Sequence, residues 1–188
     1  MKKILFPVLL LLAITQSLTA QRDETLFGRN NLDMTGFWYT NTNNFTFYED
    51  DTEYFSGGKV AFEFNKNLFL GWAWQRLEGE AIAADNNQRF NLRHNGLVVA
   101  FSPNSNKVIH PYFSMIGGSG RLNTNADRDR VFVFQPAGGL ELNVFRWFRI
   151  GAEAGYRFVT DVDQSGLSTA DVSAPFAQLQ FRFGFSWR

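Results

Sequence analysis

The chain has 188 residues, no cysteine, and 18 basic side chains against 18 acidic ones. A single domain is the natural reading of that length. The missing cysteines exclude disulfides and thiol chemistry, and the even charge balance offers nothing to attract nucleic acid.

Residues 1–20 have the pattern of a secretory signal. Lys2 and Lys3 precede an apolar run over 4–14, and Gln16, Ser17 and Thr19 lead to Ala20. The run has 11 residues, well short of the roughly 20 that a membrane helix needs. Leu18 is bulkier than the small residue usually found two places before a cut. Removing the segment leaves 16 basic and 18 acidic groups, a net charge of −2. Residues 21–32 read as an N-terminal lead. No long apolar run follows, so a membrane could be crossed only by strands closed into a barrel.

Eight segments then show a period of two, the signature of strands with unlike faces. They fall near 33–47, 54–64, 68–78, 88–101, 108–118, 130–142, 148–160 and 172–187. In the second, Val60, Phe62 and Phe64 oppose Ala61 and Glu63. In the third, Leu68, Leu70, Trp72 and Trp74 oppose Gly71, Ala73 and Gln75. In the sixth, Phe132, Phe134, Pro136, Leu140 and Leu142 oppose Gln135, Ala137, Gly139 and Glu141. In the seventh, Phe148, Ile150, Ala152, Ala154, Tyr156 and Phe158 oppose Arg149, Gly151, Glu153, Gly155 and Arg157. The eighth alternates from Pro175 to Trp187. The first and fourth have no readable phase, and each leaves room for a bulge. Connections alternate between short turns (65–67, 102–107, 143–147) and longer polar stretches (near 48–53, 79–87, 119–129, 161–171). The fold class expected is all-β: an eight-stranded antiparallel up-and-down barrel over 33–188.

Side-chain size sets which face looks out. An eight-stranded bore is barely wide enough for its own side chains, and it could not hold the Phe and Trp of the apolar faces. Those rings belong outside, against lipid. Glycine, alanine and charges belong inside. The expected inner network is Glu63, Glu141, Arg149, Glu153, Arg157 and Arg182, three acids against three bases, forming a salt-bridged plug. Aromatics gather beside the short turns at Phe64, Phe69, Phe101, Phe145, Trp147, Phe148, Phe185 and Trp187, the place for an interfacial girdle.

With these residues in view, the chain resembles the small outer-membrane β-barrel family typified by OmpX and the membrane domain of OmpA. The likeness rests on the signal, the eight-strand rhythm, Asn67-Leu68-Phe69-Leu70-Gly71, Gly151-Ala152-Glu153-Ala154-Gly155-Tyr156-Arg157-Phe158 and Phe181-Arg182-Phe183-Gly184-Phe185. The family usually ends on an aromatic residue; here Trp187 is penultimate and Arg188 is last. The resemblance implies an outer-membrane location with both termini periplasmic and a non-enzymatic role in envelope support or partner contact. It implies outer-membrane lipid and the barrel-assembly machinery as partners; the sequence leaves open a protein partner in a larger outer-membrane complex. No cofactor, metal or nucleic acid is implied. The alternatives are a narrow pore or path for small hydrophobic molecules and, further off, a hydrolase acting on lipid A.

Three motifs offer chemistry. His94 and His110 are the only histidines, and Ser114 lies four residues beyond His110, about 13 Å away in a strand, too far for a direct nucleophile–base pair. Asp161-Val162-Asp163-Gln164-Ser165-Gly166 copies the first half of a calcium loop, but Val172 stands where the closing Glu belongs. The Asn- and Thr-rich stretch 41–46 reads as the top of a protruding hairpin.

Overall fold

The computed structural model describes residues 32–48, 51–83, 88–124, 128–164 and 166–187. The signal expected over 1–20, and the lead over 21–32 apart from Leu32, lie outside them. Eight long strands follow one another: β1 (Met34–Phe47), β2 (Thr52–Phe64), β3 (Leu68–Leu77), β5 (Arg89–Phe101), β6 (Ile109–Thr124), β7 (Arg128–Phe145), β8 (Phe148–Thr160) and β9 (Ala174–Ser186). A two-residue strand, β4 (Ala81–Ile82), extends the pairing of β5, and a single helical turn, α1 (Thr169–Val172), precedes β9. Each long strand pairs antiparallel with the next, and β1 pairs with β9, so the sheet closes without an edge. Closure gives every long strand two ladder partners.

The stretch near 119–129, expected as a loop, is mostly strand, because β6 runs to Thr124 and β7 begins at Arg128. Gly117-Gly118-Ser119-Gly120 resembles a turn in sequence. Inside the barrel the same small residues let strands approach. Gly118 faces Gly96 across β5 and β6, and a Cβ at Gly118 would collide with the Asn95 carbonyl and the Gly96 Cα. Near 48–53 the Tyr48 N–H donates to the Asp51 carbonyl at 2.9 Å, and β2 already begins at Thr52.

The short turns interlock. Asn65 and Lys66 adopt positive φ of 49° and 62°, the left-handed conformation that tight hairpins require. The Lys66 N–H donates to Thr35 Oγ1 at 2.9 Å, and Ser105 Oγ donates to the Lys66 carbonyl at 2.5 Å. Asn143 Nδ2 donates to the carbonyls of Ser105 and Lys107. Polar side chains therefore tie three separate turns together at one end of the barrel.

The phases left open are resolved. In β1, Trp38, Thr40, Thr42, Asn44 and Thr46 are buried and their neighbours face out, after a register shift between Met34 and Gly36. In β5, Phe90, Leu92, His94, Val98 and Ala100 face in. The stretch 41–46 is thus not a hairpin top: it lies within β1, and half of it lines the lumen.

Replacing Gly118 with Val should cost about 1–3 kcal/mol by overpacking. The adjacent Gly117 looks outward, with nothing within 4 Å of a Cβ, so Gly117→Val should change stability by less than about 0.5 kcal/mol. Urea unfolding of the two variants refolded in detergent, followed by the gel mobility of unheated samples, measures the difference.

Candidate functional site

The lumen is filled in four tiers. At the short-turn end, Glu141 gathers three cationic or polar partners. Arg149 Nη1 lies 3.1 Å from its Oε1, Arg182 Nη1 lies 3.0 Å from its Oε2, and His110 Nε2 lies 3.2 Å from Oε1. Arg149 also reaches Glu63 at 3.7 Å, and Thr35 Oγ1 donates to Glu63 Oε2 at 3.2 Å. These residues come from β1, β2, β6, β7, β8 and β9, so the cluster clamps most of the circumference.

One step up, Glu153 pairs with Lys59 at 3.1 Å and accepts from Ser114 Oγ at 2.5 Å and from Gln178 Nε2 at 3.4 Å. The third tier belongs to Arg157, which is wholly buried. It donates to Gln135 Oε1, Thr46 Oγ1, Asn44 Oδ1 and Gln75 Oε1 at 2.9–3.3 Å, and its guanidinium lies 3.8 Å from the centre of the Phe55 ring. No carboxylate among the described residues pairs with it.

The fourth tier is apolar. Leu77, Leu92, Leu122, Val131, Val133 and Val159 face inward from five strands and pack with Leu167 and Val172 of the last loop and α1. The lumen therefore ends in a small hydrophobic core at the loop end.

All six expected inner charges are buried, and together with Lys59 they form these tiers. Lys59 was missed, although it continues the Ala61, Glu63 phase of β2. It raises the count inside to four cations against three carboxylates, so the even balance expected from sequence is corrected. Also corrected is the confinement of aromatics to the outside. Trp38, Phe55, Phe69, Phe90, Tyr112 and Phe176 are buried in the lumen. Glycines make the room. A Cβ at Gly184 would sit 2.8 Å from the Trp38 ring, and one at Gly155 would sit 2.8 Å from Phe176. Several rings face cations: Trp38 lies 4.1 Å from Arg149, and Phe69 and Tyr112 lie 4.8 and 4.4 Å from Arg182. Such desolvated cation–π contacts contribute about 2 kcal/mol each.

Outside, the surface is a belt of rings and aliphatics. From Phe37 to Phe47, Phe101 to Asn95, Phe132 to Leu142 and Pro175 to Phe185, the outward positions carry no charge. The girdle residues Phe101, Phe145, Trp147, Phe185 and Trp187 are exposed, and Trp147 stacks between Phe145 and Phe183 at 5.5 and 6.4 Å. Phe64 stands apart at 6% exposure, and Phe69 points inward against Tyr112. The first outward charges at the loop end are Arg76, Arg93, Arg121 and Arg130. An arginine near the middle of such a belt in lipid would cost about 2–4 kcal/mol, falling to about 0–1 at its rim.

No protein-family model matches the chain, and no curated protein matches it in sequence. Solved structures do match in shape. Neisserial surface protein A (NspA) superposes with a TM-score of 0.57 at 9% identity, covering 84% of this chain and all of its own. OprG, an outer membrane protein from Pseudomonas aeruginosa, gives 0.55 at 8% identity, covering 81% of this chain and 97% of its own. Ail, the attachment invasion locus protein of Yersinia pestis, solved with the heparin analogue sucrose octasulfate, gives 0.50 at 14%, covering 80% and 97%. The fold is that of the small eight-stranded outer-membrane barrels.

Within that fold the chemical motifs find structural uses. His110 is held in the lumen by Glu141 and by the Lys107 carbonyl at 3.1 Å. His94 is buried with neither ring nitrogen hydrogen-bonded, and Ser114 is engaged by Glu153. Among the described residues neither histidine is hydrogen-bonded to a hydroxyl that could act as a nucleophile. In the last loop, Asp171 caps α1 through Ser168, and Asp129 accepts from the Asp163 N–H at 2.8 Å. Among the described residues no group of three metal-ligating side chains converges; Ser165 and Asp127 lie outside them. Beyond the rim of the belt, the Ser56 hydroxyl and the Arg76 guanidinium hold the Glu78 carboxyl below its usual pKa.

Removing one member of a buried ion cluster leaves the others unpaired. Glu141→Gln should destabilise the barrel by about 3–5 kcal/mol. Glu78→Gln, on an exposed pair, should leave the urea midpoint unchanged. Equilibrium unfolding of both variants tests the ranking.

Proposed function

We propose that this protein is an integral outer-membrane barrel whose work is done at its surface. The bore carries no traffic, and no reaction takes place on it. The carrying observation is the filled lumen: three tiers of hydrogen-bonded and paired polar groups capped by a hydrophobic core, inside a wall whose outer face is charge-free between the short turns and the outward arginines. A pore needs a continuous wet path. Here Glu141, Glu153 and Arg157 already have protein partners, and the loop end is packed with leucine and valine.

The aromatic girdle beside the short turns supports a periplasmic interface there, with both termini on that side. The longer loops, including α1, then face outward. That end carries the exposed charges Asp51, Glu80, Arg89 and Asp163 and is the surface available to partners. NspA is described as a surface protein and Ail as an attachment invasion protein, and surface contact is the role we carry over. Outer-membrane lipid surrounds the belt. The barrel-assembly machinery inserts it, and a protein partner in a larger outer-membrane complex would dock at the loop end.

Planar bilayers containing the purified protein should show no steady discrete openings. Vesicle flotation of the same preparation should recover it with lipid. Regular conductance steps would replace this reading with the narrow-pore alternative.

A further inference from the structure

We propose that Arg93, Arg121 and Arg130, flanked by Arg76, form a docking row for the phosphate-bearing headgroup of a lipid in the leaflet at the loop end. This rests on the membrane reading above and adds a specific ligand surface to it.

The register builds the row. Arg76 faces Arg93, Arg93 faces Arg121, and Arg121 faces Arg130 on four adjacent strands. Side chains directly opposite one another lie about 4.5–5.5 Å apart at Cβ, so the row spans about 15 Å. Like charges set opposite each other are unfavourable for the bare fold. Carboxylates relieve only one end. Arg76 pairs with Glu78 at 2.8 Å, whereas Arg93, Arg121 and Arg130 make no ion pair among the described residues. Asp129, next to Arg130 in sequence, alternates to the other face and accepts from the Asp163 backbone. Three juxtaposed, exposed, uncompensated guanidinium groups call for an external anion. Phosphate suits them, because each fork can bind two oxygens at once.

An open groove of about 600 Å³ runs along this row, with Trp74, Asn95 and Ser119 lining it beside the arginines. Its position selects a lipid over a free anion. One rung below lie Trp74, Asn95, Ser119 and Phe132 in register, and the next rung down is Trp72, Leu97, Gly117 and Phe134. Gly117 has open space where a side chain would stand. That leaves a slot between Leu97 and Phe134 leading down from the arginines into the apolar belt. A ligand held by the row thus meets a charged rim and, directly beneath it, an uncharged wall. An amphiphile with a phosphorylated head and acyl chains matches both halves; inorganic phosphate matches only the first.

The test is lipid retention by the folded barrel in zwitterionic detergent, read by native mass spectrometry. Diphosphoryl lipid A is the ligand, and phosphatidylcholine and inorganic phosphate are the comparisons. The wild type should keep lipid A through delipidation. The triple variant Arg93→Gln, Arg121→Gln, Arg130→Gln should lose about tenfold or more of that retention, with phosphatidylcholine retention unchanged. Should the triple variant fail to fold, Arg121→Gln, which has an arginine on either side, must lose retention in the same direction. Equal retention by a folded variant overturns the proposal, as does displacement of lipid A by equimolar inorganic phosphate. Vesicle flotation separates the two levels: a wild type that does not float removes the membrane reading itself, whereas a floating variant with undiminished retention removes only the arginine row.

Discussion

An eight-strand bore has no room for a continuous water column, so an inward charge is costly unless it finds a partner, and the charged groups here find theirs on other strands. That constraint organises the rest of the molecule. It explains why Glu141 collects Arg149, Arg182 and His110, and why Glu153 is satisfied by Lys59, Ser114 and Gln178. Some of these contacts join consecutive strands, as Glu141 with Arg149, and others join strands distant in sequence, as Lys59 with Glu153. A buried ion pair is weak as a source of net stability, because desolvation offsets the attraction. Its stronger effect here is on register. Sliding any strand by one residue would turn its inward charges out onto the apolar belt and its rings into the bore.

Arg157 solves the same constraint differently. It has no acid, and four neutral oxygens and the Phe55 ring replace its hydration shell. The cation stays in place because most of its donors are bonded and its four acceptors come from three strands, β1, β3 and β7. Asn and Thr residues of β1, which look like loop formers in sequence, supply half of this shell, and Gln75 and Gln135 supply the other half. Two of the polar residues on that strand, Asn44 and Thr46, face inward for this reason.

The strand rhythm, the closed topology and most inward charges were legible in the sequence, because they depend on a period of two. Other features were hidden because they depend on space. Trp38 and Phe176 fit inside because Gly184 and Gly155 on neighbouring strands vacate the volume, and no single strand's pattern reveals its neighbour. The β6 extension through Gly118 and Gly120 was hidden for the same reason: small residues that permit close strand approach look identical to turn formers. Lys59 was within reach, since carrying the β2 alternation two residues further places it with Glu63. The arginine row was out of reach, because Arg76, Arg93, Arg121 and Arg130 become neighbours only when four registers are known.

The change from a polar lumen to an apolar one along the axis follows from what surrounds the wall. Where the outer face is rings and aliphatics, apolar side chains are used on the outside, and the bore is left to polar groups that satisfy one another. Above the arginine rung the outer face turns polar, with Arg89, Asn91, Asn123 and Arg128, as on a water-soluble sheet. Around this rung the inner positions switch to Leu77, Leu92, Leu122, Val131, Val133 and Val159, and burying them against Leu167 and Val172 becomes the stabilising term. The arginine rung lies at this inversion. The strands thus continue past the belt as a small conventional hydrophobic core, and this core holds the last loop and α1 at the mouth of the barrel.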